Sequence, residues 1–232
     1  MNTSGTVKFD CEVDYPIDHP LAGWESHIDQ LRACGQLFHT RGWSVGTSSN
    51  YSFVINKDPV ELIVTASGKD KGQLQRPDFV RIDATGNATS SEQPKSSAET
   101  MLHVVLAELP NVGSILHTHS IWGTLLSDHH YSDSTSSSIS ISGYEMLKGL
   151  EGITTHEAQI EIPIFDNTQD IPALAELVKR KLQDEPDSIS HGFLIRNHGL
   201  YTWGTDIFAA RRHIEVFEFL FEILGRKTNF VG

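Results

Sequence analysis

Two histidines one residue apart close an apolar run in GSILHTHS, Gly113 to Ser120. On an extended chain side chains alternate, so His117 and His119 share one face while Leu116 and Thr118 share the other. At about 3.3 Å rise per residue their Cα atoms stand roughly 6–7 Å apart, close enough for two imidazole nitrogens to converge on one cation. Histidine supplies 12 of the 232 residues. Chance alone gives about half an H-x-H pair in such a chain, so the pair needs its context. A third nitrogen is available from His198 in LIRNHGLYTWG, also at the end of an apolar run and followed by Gly199. If the two strands are neighbours, three imidazoles meet at one sheet edge and leave a coordination position for water or substrate, as in a catalytic zinc site. Two hydrogen-bonded core histidines and one in a turn would fit the same spacing. His103 and His213 lie in helical patterns and read as packing or solvent-facing, and His129–His130 as part of a polar loop.

A second chemistry is anion binding. VGTSSNYS (Val45 to Ser52), TASGK (Thr65 to Lys69) and PKSSAE (Pro94 to Glu99) place Gly, Ser, Thr and Asn at strand ends and at a helix start. Free N–H groups, hydroxyls and the helix dipole suit a phosphate there, although each is also an ordinary loop composition. Ser96-Ser97-Ala98-Glu99 fits S-x-x-E, so Glu99 has a reading as a capping-box residue bonded back to Ser96.

These residues need elements to hold them. Leu21, Trp24, Ile28, Leu31 and Leu37–Phe38 recur at helical spacing, with Pro20 suited to the first turn and Gly42 to the exit. YSFVINK, VELIVTAS and DFVRID read as a strand meander. SSAETMLHVVLAELP is a helix ended by Pro110, VGSILHTH a strand, and Ser120 to Ser127 a short helix. Asp133 to Ser142 is serine-rich and reads as a surface loop with a small alternating β segment. GYEMLKGL is helical, QIEIPIF and GFLIRN are strands, and DIPALAELVKRKLQ and DIFAARRHIEVFEFLFEILGR are amphipathic helices. Tyr201 and Trp203 read as packing beneath a turn. The order is mixed α and β around one sheet: a single α/β domain over residues 21–232, after a poorly ordered polar tail at 1–20.

Composition narrows the class. At 38% hydrophobic and 21% charged the chain is ordinary globular protein. A net charge of −12 with scattered Lys and Arg argues against nucleic acid, which requires a basic face. Cys11 and Cys34 form no C-x-x-C, and no signal-like start or bilayer-spanning run is visible. The expectation is a cytoplasmic protein free of membrane.

GTSSNYS, TASG, SSAE, HTHS and NHGL, in that order, resemble the class II aldolase family of zinc-dependent sugar-phosphate enzymes. GYEMLKGL, THEAQIEIPIFDNTQDI and LIRNHGLYTWGTD narrow the resemblance to dehydratases of that family, and it runs from about Leu21 to Leu224. It implies a three-layer α/β/α domain with a central mixed, largely antiparallel sheet, in a homotetramer with active sites near subunit interfaces. It implies one Zn²⁺ per subunit on His117, His119 and His198, and Glu145 as general acid/base. Asn50, Ser67, Gly68 and Ser97 match the phosphate loops, with Lys69 as an addition. Glu99 matches a carboxylate that touches zinc or moves protons in aldolases. The implied reaction is dehydration of a 5-methylthio pentulose 1-phosphate within methionine salvage, the alternative being an aldolase or epimerase of another ketose phosphate. Ser49 and Ser96 depart from the family pattern, standing where glycine and proline are common.

Overall fold

The computed structural model describes residues 14–132, 137–185 and 189–230. Eight strands make one sheet: β1 (Asn50–Lys57), β2 (Val60–Thr65), β3 (Phe79–Ile82), β4 (Ser114–Thr118), β5 (Ser137–Ser142), β6 (Gln159–Phe165), β7 (Gly192–Ile195) and β8 (Gly199–Gly204). Their order is β3-β2-β1-β4-β8-β7-β6-β5. Only β6 and β7 pair in parallel; the other neighbours are antiparallel.

Helices cover both faces. On one, α1 (Glu25–Thr40), α3 (Ile121–His130) and α5 (Ile207–Phe230) bury Ile28, Leu31, Phe38, Leu126, Ile214 and Phe217 against Leu116 and Leu200. On the other, α2 (Thr100–Ala107) and α4 (Ile171–Asp184) bury Leu102, Leu106, Leu174 and Val178 against Ile115, Phe193 and Tyr201. This is the expected α/β/α arrangement. Period-2 alternation divides β4 between the two cores: Leu116 and Thr118 face α5, and Ile115 and His117 face α2.

Several boundaries differ from the sequence reading. Helix α1 starts at Glu25, not near Pro20, because Gly23 takes φ +82° and breaks the helical path. Helix α3 runs through His129 and His130, which therefore close a helix instead of lying in a loop. Its start is set by Ser120, whose Oγ accepts the Gly123 N–H at 3.0 Å. Such a cap contributes about 1 kcal/mol and fixes the direction of the chain directly after His119. GYEMLKGL forms only a 3₁₀ turn, Glu145–Gly149. The run LYTWG is a full central strand, β8, which packs on both sides.

The N-terminal tail expected over 1–20 falls outside the described residues as far as 13. Residues 14–20 are tied to the domain: the Tyr15 N–H donates to Glu25 Oε1 at 3.1 Å, and the Tyr15 ring stacks on His19. Of the serine-rich loop, 133–136 lie outside the described residues, and Ser137–Ser142 form edge strand β5 with alternating burial.

Candidate metal centre and phosphate loops

Strand pairing places Asn50 of β1, His117 of β4 and Tyr201 of β8 side by side, since His117 is the cross-strand partner of both others. All three side chains belong to the face covered by α2. His117 is fully buried and lies flat on Tyr201, with ring centroids 4.0 Å apart and planes at 12°. Phe193 of β7 continues the stack at 5.1 Å from Tyr201. The His117 Nδ1–H donates to the Leu200 carbonyl at 2.9 Å, which leaves the Nε2 lone pair pointing away from the sheet.

His119 follows the last residue of β4, with its backbone N–H donating to Trp43 O at 2.8 Å. Its Nε2 comes within 2.7 Å of His117 Nε2. His198 sits in the three-residue turn between β7 and β8. There Asn197 takes φ +52°, and its amide and the Arg196 guanidinium are both held by Asp128. Arg196 also lies over the Tyr131 ring, 4.5 Å from its centroid, so its role is to pin this turn. Gly199 lets the turn approach β4, because a Cβ there would lie 2.0 Å from Thr118 O.

The fourth donor comes from the start of α2. Glu99 Oε1 is 3.2 Å from His198 Nε2, and Glu99 Oε2 is 3.5 Å from His117 Nε2. One ligand atom from each of Glu99, His117, His119 and His198 lies within 4.8 Å of the other three. The capping-box reading of Glu99 is therefore wrong: its carboxylate faces the histidines, and the helix start is closed by Ser97, whose O accepts the Thr100 N–H.

The electrostatics suit a cation. Burial, then the neighbouring imidazoles, hold His117 well below its ordinary value and push His119 down to about 2. Neutral imidazoles keep their lone pairs for a metal. Three imidazoles with one carboxylate match the hard-to-borderline donor set that divalent zinc and its neighbours take.

Glu99 is held by residues the sequence reading placed elsewhere. Asn50 Nδ2 donates to Glu99 Oε2 at 2.7 Å and to Ser97 Oγ at 3.2 Å, and Tyr201 Oη donates to Glu99 Oε2 at 3.1 Å. A carboxylate only accepts, so the Asn50 amide must turn its NH₂ to Glu99 and its Oδ1 away. That oxygen meets His103 Nε2, which must then carry the proton, and His103 Nδ1 accepts from Ser52 Oγ at 2.7 Å. Burial pushes the His103 imidazole down to about 4, consistent with this neutral tautomer. His103 was legible as the residue one helical turn after Glu99. Tyr201 was not, because its place opposite His117 depends on the strand order.

The loops expected to take phosphate are adjacent. Ser67 N–H donates to Lys95 O at 2.9 Å, and Ala66 bridges Ser96, so TASG and PKSS run side by side. Ser97 and Asn50 are bonded to each other as above. Ser49, next to Asn50, takes φ +72°, the left-handed region in which the family's glycine would be at ease. Lys69 departs from the expectation: its Nζ pairs with Asp78 Oδ1 at 2.8 Å on the surface.

The sequence profile of the Class II Aldolase and Adducin N-terminal domain matches residues 29–224. The chain belongs to the class II aldolase and adducin family. Within it, the chain is 47% identical over 189 residues to a methylthioribulose-1-phosphate dehydratase of Marinobacter nauticus, covering 81% of this chain and 87% of that one. It is 45% identical over 199 residues to the enzyme of the same name from Pseudomonas fluorescens, covering 85% and 91%. The fold superimposes on an L-fuculose-1-phosphate aldolase of Thermus thermophilus with a TM-score of 0.68 at 18% identity, covering 90% of this chain and 98% of that one.

One expected site residue of this class II aldolase relative stands apart. Glu145 lies on the 3₁₀ turn after β5, 70% exposed, paired with Lys148 and 3.7 Å from His156 Nδ1. The Lys148 ammonium, which it hydrogen-bonds, holds its carboxyl below the usual range. The strand leading to it is four steps from β4, about 19 Å across the sheet at the usual strand spacing. Within one chain, Glu145 is not brought to the histidines.

Proposed function

We propose that this chain dehydrates 5-methylthioribulose 1-phosphate to 2,3-diketo-5-methylthiopentyl 1-phosphate, a step of methionine salvage, with one Zn²⁺ per subunit. The observation that carries the reading is the cluster of His117, His119, His198 and Glu99 beside the paired loops at Ser67 and Ser97. The likeness to named dehydratases over four fifths of the chain supports the choice of reaction.

His117, His119, His198 and Glu99 would hold the cation. When bound, it supplies Lewis-acid stabilisation of negative charge developing on the substrate's C2 and C3 oxygens. The chain's own groups do the rest. Ser67, Gly68 and Ser97 hold the C1 phosphate and so fix the register of the carbon chain, with Asn50 behind them donating to Ser97 Oγ. Glu145 removes the C3 proton and returns a proton to the departing C4 hydroxyl, and loss of water leaves an enol that tautomerises to the diketone. Asn50 and Tyr201 keep the Glu99 carboxylate in one orientation throughout.

The working form is a cytoplasmic homotetramer, and Glu145 acts on the site of a neighbouring subunit. Its exposure, and its distance from the histidines in its own chain, support this assignment. Mixed oligomers of Glu145→Gln and His119→Ala subunits regain turnover if sites are shared; failure to regain any returns Glu145 to its own chain. Glu145→Gln alone lowers turnover by roughly 10²–10⁴-fold at unchanged zinc content. Among the described residues no helix is long and apolar enough to cross a membrane.

The deciding assay is turnover of 5-methylthioribulose 1-phosphate by metal-analysed protein, with and without a chelator, read as diketone formation. Chelator-sensitive dehydration is expected. A second reading, aldol cleavage of another ketose phosphate, draws on Glu99, since a carboxylate at that place matches the aldolases. Zinc-loaded protein that cleaves ketose phosphates and leaves this substrate intact would replace the first reading with the second.

A further inference from the structure

We infer that Lys71, not Lys69, is the cation that receives the substrate's phosphate. The inference deepens the reading above and rests on its premise that the ligand is a phosphate ester.

The two lysines are two residues apart but live in different environments. Lys69 is 41% exposed, and its charge is already matched by Asp78. Lys71 is 1% exposed, one of the largest side chains buried in the chain. Its Nζ donates to one acceptor, the Lys69 carbonyl at 2.7 Å. Among the described residues no carboxylate oxygen comes within ion-pair distance of it. Of three ammonium N–H groups, two are therefore left without a protein acceptor. A buried cation in that state is costly unless an anion completes it.

The fold holds Lys71 there deliberately. Asp70 closes the turn by accepting the Gly72 N–H at 2.8 Å. Helix α1 then lies directly on the Lys71 backbone, which is possible only because residue 35 is glycine: a Cβ there would be 2.3 Å from Lys71 O. The carbonyl that Lys71 Nζ grips belongs to the residue after Gly68, in the phosphate loop itself. In front of Gly68 there is open space, since a Cβ there meets nothing within 4 Å.

The other expected phosphate donors are partly committed. Ser67 N–H is given to Lys95 O, and both amide hydrogens of Asn50 go to Ser97 and Glu99. Lys71 adds to these loops two unused N–H donors and a full positive charge. Burial pushes Lys71 itself down to about 8, against Asp70 and Asp78. A phosphate dianion would raise it again and secure its proton.

The test uses inorganic phosphate titrated into zinc-loaded protein, with Lys71→Met, Lys71→Arg and Lys69→Met compared with the natural chain. Lys71→Met should weaken phosphate by about ten- to a hundredfold, the worth of a charge-assisted hydrogen bond, and Lys71→Arg should recover part of it. Lys69→Met should stay within about twofold, as an exposed ion pair implies. In turnover, Lys71→Met should raise KM for 5-methylthioribulose 1-phosphate well beyond its effect on kcat. Nitrogen-15 NMR of the natural protein gives a readout that needs no variant: the lysine titrating near pH 8 should shift upward when phosphate is added. A folded, zinc-loaded Lys71→Met protein that binds phosphate normally overturns the inference, even if dehydration of the substrate stands. So does an unmoved lysine titration in the natural protein. Phosphate lost with Lys71 supports it, even if the sugar phosphate turned over proves to be another.

Discussion

Thr118 and His117 are neighbours in sequence, yet they serve opposite faces of the sheet. His117 faces His119, His198 and Glu99, and Thr118 donates through Oγ1 to Glu218 Oε1 of α5 at 3.2 Å. Glu218 is 2% exposed and, among the described residues, its Oε2 has no hydrogen-bond partner; burial pushes its carboxyl up to about 7. The folded protein therefore holds a proton here that the unfolded chain releases near 4.5. Stability from this group is full below about pH 4.5 and is lost as pH rises to about 7, by roughly 3 kcal/mol over the window. Glu218→Gln should remove this group's share of the pH dependence, so that in denaturant unfolding the variant gains stability relative to the natural chain as pH rises from 5 to 8. An unchanged slope in the variant would assign the pH dependence to other groups. The residue scale is also where sequence reading was least complete. Glu99 was seen as a capping residue or a ligand, and only its four neighbours decide between the two. Lys69 was named because it adjoins TASG, and Lys71 was not considered, because the burial that sets it apart depends on how α1 packs.

At the scale of elements, the site is made by the approach of β4 and β8. The close contact of Gly199 with Thr118 O places the β7–β8 turn against the end of β4, and so sets His198 next to His119. Gly199→Ala must push the turn outward, because its Cβ would meet backbone and not a flexible side chain. Sheet and helices elsewhere are untouched, so the variant should fold and lose metal. A rise of at least about tenfold in the zinc dissociation constant is expected, the effect of about 1.4 kcal/mol of misplacement. Zinc affinity equal to the natural chain's would show that the turn can shift without cost. Most elements were legible because their apolar periods are long: α4, α5 and the β1–β3 meander follow the pattern. The strand β8 was missed because LYTWG is short and apolar on both faces, as buried central strands are. GYEMLKGL, too short to sustain a helix, closed as a 3₁₀ turn.

The whole molecule adds what neither residues nor elements carry, the lateral order β1-β4-β8. That order aligns Asn50, His117 and Tyr201 in one row, lets α2 bring Glu99 across it, and leaves Glu145 at the far end of the sheet. No sequence period encodes it. The donor cluster unites residue 99 with residues 117, 119 and 198, so it exists only when α2, β4 and the β7–β8 turn are all in place. A cation bound there binds the folded state and not the unfolded one, and must stabilise the entire domain. At a hundredfold excess over its dissociation constant the gain is about 2.7 kcal/mol. For a chain of this length that raises the melting midpoint by roughly 5–10 °C. Zinc added to stripped protein should produce that rise with a logarithmic dependence on concentration, followed by calorimetry. His119→Ala, which removes one donor without disturbing the strands behind it, should flatten the dependence. A natural chain whose midpoint ignores zinc would mean that the four donors, though gathered, do not act together as a site.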